Sequence, residues 1–405
     1  MDNIEFIEKC EKKLKDKYDY IDAIAYFNQK KVLNAFKERQ VALRHFNGTT
    51  GYGYDDQGRD CLGKLYSDVF GAESGIVSPH IVSGTHALTV ALFGLLRPGD
   101  TLLCVSGMPY DTIRGVIFGK NNGSLEDFGV KFEYCDLKDD KFDFNAIAEK
   151  FNKSVKVVYI QRSRGYELRD AFSCSEIGEA CKFVRELGFG GCIFVDNCYG
   201  EFVEKTEPTE CGADLIVGSL IKNAGGGLAP SGGYICGRSL YVDLIGKRLT
   251  APSIGLEVGS YSGGYQYFYQ GLFMAPHVVA QALKSSLLIG QAMGELGFIN
   301  FPSLDKIPYD ITRAIQFDSS EKMINFIREV QYASPIDGFV TCEPWDMPGY
   351  DEPIIMAAGT FVSGASIELS ADGPVKPPYI AYFQGGLTYE HSRYALERIL
   401  NKLRV

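Results

Sequence analysis

Three short stretches of the chain carry residues whose types fit one chemistry. The first is GSLIKNAGGGLAPSGGYICG, residues 218–237, where Lys222 stands three residues beyond Ser219 and just before a run of glycines. Lysine tolerates burial poorly, and most lysines lie at the surface. An amine placed after an apolar run, on flexible backbone, is instead suited to bond a carbonyl carbon as a Schiff base. The second stretch is CIFVDN, where Asp196 closes an apolar run. A carboxylate there is costly to bury without a partner. The third is SGTHA, residues 83–87. Small residues opening a helix expose backbone N–H groups, and the helix dipole favours an anion such as phosphate beside them.

Each stretch follows an expected strand, and in an open parallel sheet ligands bind beyond the carboxyl ends of the strands. An anion cradle, an acid and a lysine at successive strand ends match what pyridoxal 5'-phosphate needs. Its phosphate needs fixed donors, its ring nitrogen an acid, and its aldehyde a lysine amine of lowered pKa. The chain has no G-x-x-x-x-G-K-[ST] loop, and no G-x-G-x-x-G stands between strand and helix. That argues against nicotinamide-dependent hydride transfer.

The elements that must position these residues are legible in outline. Residues 1–50 read as an N-terminal helical arm, with apolar residues at helical spacing in IDAIAYFNQKKVLNAFKERQV. From about residue 75 strands alternate with helices: SPHIVSG, TLLCVSG, SVKVVYIQ, CIFVDN and ADLIVGSL are the expected strands. SCSEIGEACKFVRELG opens a helix with a capping box from Ser173 to Glu176. This alternation predicts an α/β domain over 51–265 around a mostly parallel central sheet. A long helix, HVVAQALKSSLLIGQAMGELGF, then leads into a smaller α+β C-terminal domain over 266–405. Its expected strands are GFVTCE, IIMAAGTFV and ASIELS, and its last helix is YEHSRYALERILNKL.

Composition narrows the function classes. A net charge of −10 on 405 residues argues against nucleic-acid binding. No membrane span is expected, and MDNIEFIEKC is too acidic for a signal peptide. The 11 cysteines form no C-x-x-C pair and no metal-ligand pattern. They read as reduced, mostly buried residues of a cytoplasmic protein, with no metal site expected.

The chain resembles the fold-type I (aspartate aminotransferase-like) pyridoxal-phosphate enzymes, within them the cysteine/methionine-metabolism group. It is most similar to the methionine γ-lyase-like, or aluminium-resistance, carbon–sulfur lyases. TTGYGYDDQGRD, SGTHA, VDNCYGEF, GSLIKNAGGGLAPSGGYI, SGGYQYFYQGLFMAPHVV and ELSADGP…PPYIAYFQGGLTYEH carry the resemblance, over most of the chain from about residue 47. It implies that Lys222 bonds the cofactor and shuttles protons, and that Asp196 pairs with the ring nitrogen. Gly84, Thr85 and Ser219 would hold the phosphate, and Tyr110 would stack on the ring and help protonate a leaving group. Tyr54 and Arg59, with Tyr52 as the competitor of Tyr54, would reach a neighbouring subunit's phosphate site, making the enzyme a dimer or tetramer. Lys376, Arg164 or Arg162 would anchor the substrate carboxylate, and Gln161 or Ser163 would bond the cofactor's phenolic oxygen. The implied activity is β- or γ-elimination from a cystathionine-, cysteine- or methionine-like amino acid. The same cofactor also serves γ-replacement, aldol cleavage, racemisation, or binding without turnover.

Overall fold

A computed structural model describes residues 2–346 and 352–404 of the chain. Helix α1 (Asn3–Glu38) is capped by Asp2, whose carboxylate accepts from Glu5 N–H, and α2 (Gln57–Val69) is capped in the same way by Asp56. The main sheet is built from β1 (Ser74–Ser78), β2 (Thr101–Cys104), β3 (Lys131–Tyr134), β4 (Val155–Gln161), β5 (Cys192–Asp196), β6 (Leu215–Ser219) and β7 (Gly233–Gly237). Its order is β1-β7-β6-β5-β4-β2-β3, parallel apart from β7, which runs antiparallel to both neighbours. The helices between these strands are α3 (Gly84–Leu95), α4 (Asp111–Ile117), α5 (Phe144–Lys150) and α6 (Cys174–Glu186), with α7 (Ser239–Leu249) after β7. β2, β5 and β6 are buried along their whole length, which is why they read as unbroken apolar runs. The Ser173–Glu176 capping box opens α6 as expected.

Helix α8 (Gln266–Glu295) packs against α1 and leads to a second, antiparallel sheet. That sheet holds β8 (Ile299–Phe301), β9 (Thr312–Gln316), β10 (Ile354–Ala357), β11 (Ser370–Pro374) and β12 (Ile380–Gln384), in the order β10-β11-β12-β9-β8. Helices α9 (Ser320–Ala333) and α10 (Tyr389–Leu403) pack on each other beside it. By length and composition alone, α8 is long and apolar enough to cross a membrane. However, 72% of its most apolar window is buried inside the protein, and it serves as the core helix between the two sheets.

Three strand expectations also shift. The first strand is Ser74–Ser78, and residues 79–83 form the turn into α3. GFVTCE forms no strand: it lies at the surface with Phe339 86% exposed, and the Arg328 guanidinium takes the Cys342 carbonyl. ASIELS is a turn up to Ser370, because the Glu368 carboxylate turns inward to accept from the N–H groups of Phe361 and Val362.

The glycines after Lys222 sit against α8. A Cβ on Gly226 would lie 2.2 Å from the Gly271 carbonyl oxygen of α8, and its φ of +55° is left-handed. Gly226 lets α8 press against the turn that carries Lys222. Gly226→Ala should therefore lower stability by roughly 1–3 kcal/mol. A thermal melt checks this, and an unchanged midpoint would contradict the close contact.

Candidate active site

Lys222 follows β6 and Asp196 ends the adjacent β5, so the two project beyond neighbouring strand ends. Both line one cavity of about 340 Å³. Asp196 is buried; its Oδ1 accepts from Cys198 N–H at 3.2 Å and its Oδ2 from Tyr159 O–H at 3.3 Å. Burial pushes the Asp196 pKa up, and the nearby Lys222 charge opposes the rise. Lys222 Nζ sits 4.1 Å from the centre of the Tyr199 ring, a cation–π contact. Tyr199 is held there by a left-handed backbone, φ 71°, and by a hydrogen bond from Ser366 Oγ at 3.1 Å.

A nucleophilic amine needs a lowered pKa. Burial drives Lys222 that way, but Cys198, Tyr199, Tyr110 and Asp196 surround it and hold it well above the ordinary lysine range. The lowering expected from sequence is thus not supplied by the protein groups alone.

The other expected cofactor contacts gather around these two residues. Ser83 caps α3, and its hydroxyl accepts from His86 N–H, which leaves the N–H groups of Gly84 and Thr85 at the open start of the helix. A Cβ on Gly84 would stand 3.2 Å from Ser219 Cβ, so the helix start and the end of β6 meet there. Tyr110 lines the cavity, its N–H bonded to Gln161 Oε1 at 3.0 Å and its hydroxyl 3.2 Å from Thr85 Oγ1. Desolvation raises the Tyr110 pKa, and Lys222 opposes the rise.

Arg164 stands apart among the candidate anchors. It is 1% exposed, lines the cavity, and none of its three nitrogens has a hydrogen-bond partner. Its only ion-pair neighbour among the described residues is Asp310, 3.8 Å away. Asp310 already accepts from Ser163 Oγ and from Thr312 N–H and Oγ1. Such a guanidinium is matched by an incoming carboxylate.

Arg162, by contrast, is consumed by the fold. Its guanidinium donates to Phe172 O, Asn197 Oδ1, Gly200 O and Glu204 Oε2 at 2.6–3.2 Å. Lys376 is exposed on the turn between β11 and β12 and lines no part of the cavity. Gln161 uses its amide on Tyr110 N–H and Ser163 O, and Ser163 donates to Asp310, although both line the cavity.

Within one chain Tyr54 and Arg59 do not reach Lys222. Arg59 donates to the Gly53 carbonyl and pairs with Asp60, and with Tyr52 it lines a separate cavity of about 470 Å³. Tyr54 is exposed and stacks on Tyr52, ring centres 5.5 Å apart.

The sequence reading missed the wall contributed by the small sheet. Met356, Asp372 and Tyr382 are cross-strand neighbours on β10, β11 and β12, share one face, and line the cavity. The available signal was an acid between small residues, Ala371 and Gly373, within a motif already singled out.

A buried acid and a lysine at adjacent strand ends of this sheet define the class of fold-type I pyridoxal-phosphate-dependent enzymes. The pyridoxal-5'-phosphate-dependent protein YhfS of Escherichia coli has the same fold, with a TM-score of 0.64 at 15% identity, covering 95% of this chain and 96% of its own. The chain belongs to the methionine gamma-lyase family, whose profile matches residues 3–404, and this makes it a carbon–sulfur lyase. It is 50% identical over 380 residues to the uncharacterized protein YnbB of Bacillus subtilis, covering 93% of this chain and 90% of that one. A carbon–sulfur lyase involved in aluminum resistance from Clostridium novyi superposes with a TM-score of 0.95 at 45% identity, covering 99% of this chain and 95% of that one.

The two arginines give a direct contrast. Arg162→Met should cost roughly 3–5 kcal/mol, because it breaks a buried, fully bonded charge network. Arg164→Met should leave the thermal midpoint unchanged or raise it, while weakening substrate binding. Equal losses of stability in the two variants would contradict the reading of Arg164 as an unpartnered group.

Proposed function

We propose that the protein is a pyridoxal-phosphate-dependent lyase that eliminates a thiol from a sulfur-containing amino acid of the cystathionine, cysteine or methionine kind. The observation that carries this is the convergence on one cavity of Lys222, Asp196 and Arg164, whose nitrogens have no hydrogen-bond partner. The residues fit the cofactor: an amine and a buried acid face the same space, and a helix start meets Ser219 where a phosphate needs donors. When bound, pyridoxal phosphate supplies an electron sink for the charge left on the substrate Cα.

The chain's own groups do the rest. Lys222 would hold the cofactor between turnovers and, with its amine free while substrate is bound, would be the base that takes the Cα proton. Asp196 would keep a proton on the ring nitrogen, and burial would strengthen that attraction. The Gly84 and Thr85 N–H groups and the Ser219 hydroxyl would hold the phosphate. Tyr110 would pack on the ring and would deliver a proton to the departing sulfur; desolvation raises its pKa, which favours keeping that proton until then. Arg164 clamps the substrate carboxylate. Tyr54 and Arg59 of a second copy complete the phosphate site, so the active form is at least a dimer, and a tetramer is two such pairs. All 11 cysteines are free, which suits a reducing cytoplasm.

Products distinguish this reading from its rivals. Incubation with L-cystathionine, L-cysteine and L-methionine should release thiol, keto acid and ammonia in equal amounts from at least one of them. Retention of the amine in the product would contradict elimination and favour γ-replacement. A cofactor spectrum that no sulfur amino acid perturbs would favour binding without turnover. Shared sites predict a further result: mixing inactive Arg59→Ala and Lys222→Ala subunits after dissociation should restore part of the activity. No recovery would contradict the contribution of Arg59 across subunits.

A further inference from the structure

The small-sheet wall of the cavity holds a second group with unused hydrogen-bonding capacity. Asp372 is 9% exposed, and its Oδ1 has no hydrogen-bond partner. Tyr166 hydrogen-bonds the carboxyl, while burial pushes its pKa up to about 7. No lysine, arginine or histidine among the described residues forms an ion pair with it. Two aromatic rings stand beside this carboxyl. Tyr382 is its cross-strand neighbour, and the Tyr166 and Tyr382 ring centres are 4.7 Å apart. Tyr382 donates its hydroxyl to the Tyr166 carbonyl at 2.5 Å, which fixes the ring, and the thioether of Met356 lies across the next strand. All four side chains line the same cavity as Lys222.

A carboxyl with one oxygen unused is a poor wall for an apolar sulfur substituent, because that oxygen then stays unpaired. A carboxylate with aromatic faces around it is a good receptor for an ammonium group. The reacting end of the substrate is already provided for by Lys222 and Arg164. The group that meets Asp372 therefore belongs to the other end of the substrate, beyond sulfur.

We propose that Asp372, with Tyr166 and Tyr382, binds an ammonium group at the distal end of the substrate's sulfur substituent and so sets specificity. The proposal rests on the lyase reading above. It selects thioether amino acids that end in a second amine over those that end in a plain alkyl chain. The chemistry balances without further reactants: a thioether, with one water, yields an aminothiol, a keto acid and ammonium.

The test uses the holoenzyme and matched substrates in both the cysteine and homocysteine series, with S-(2-aminoethyl), S-propyl and S-(2-hydroxyethyl) substituents. Released thiol gives kcat/KM for each. The wild type should prefer aminoethyl over propyl by about tenfold or more, since a site built for a polar group rejects the analogue lacking it. Asp372→Asn should reduce that preference to within about threefold, and Asp372→Glu should restore part of it. A wild-type enzyme that handles aminoethyl and propyl equally, or hydroxyethyl as well as aminoethyl, overturns the proposal and leaves the lyase reading standing. Release of thiol from none of the compounds by the wild type overturns both.

Discussion

Everything in this molecule turns on keeping a lysine and an aspartate out of water beside each other. Each ion loses several kcal/mol of hydration when buried, and only good geometry and further hydrogen bonds recover it. The fold meets that demand by placing both groups at the ends of adjacent, wholly buried parallel strands, β5 and β6. Asp196 gains a backbone N–H and the Tyr159 hydroxyl, and Lys222 gains the face of Tyr199. The left-handed backbone at Tyr199 is strained, and it is kept where a ring is needed over the amine.

The second sheet and α8 follow from the same demand. The turn after Lys222 must be rigid for the amine to be aimed, and α8 supplies rigidity by coming into backbone contact with it at Gly226 and Gly271. The small sheet then closes the cavity and contributes Met356, Asp372 and Tyr382 from one face. Burial of the charged groups along its wall strengthens each charge–charge interaction there. It also leaves two groups, Arg164 and Asp372, with opposite charges and unused hydrogen-bonding capacity. A ligand that is anionic at one place and cationic at another fits that pattern.

The sequence was most legible where one physical signal dominated. Buried parallel strands appear as apolar runs, capping residues mark helix starts, and Lys222, Asp196 and Gly84 stand where strands and helices meet. The antiparallel small sheet was harder: GFVTCE has strand-like composition, yet no strand among the described residues pairs with it, and Glu368 turns ASIELS away from a strand. Partner choice was equally hidden. Nothing in QRSRGY distinguishes Arg162 from Arg164; the difference is that Arg162 meets Asn197, Gly200 and Glu204 in space while Arg164 meets a cavity. Lys376 and Asp372 lie four residues apart in one motif, and only the strand's alternation and the turn after it send Asp372 inward and leave Lys376 outside.

The most direct test is covalent. The holoenzyme, saturated with pyridoxal phosphate and treated with borohydride, should carry a stable cofactor adduct that peptide mass mapping assigns to Lys222. Lys222→Ala, treated in the same way, should carry none. An adduct on another lysine, or no adduct in the wild type, would contradict the account of this cavity as a cofactor site.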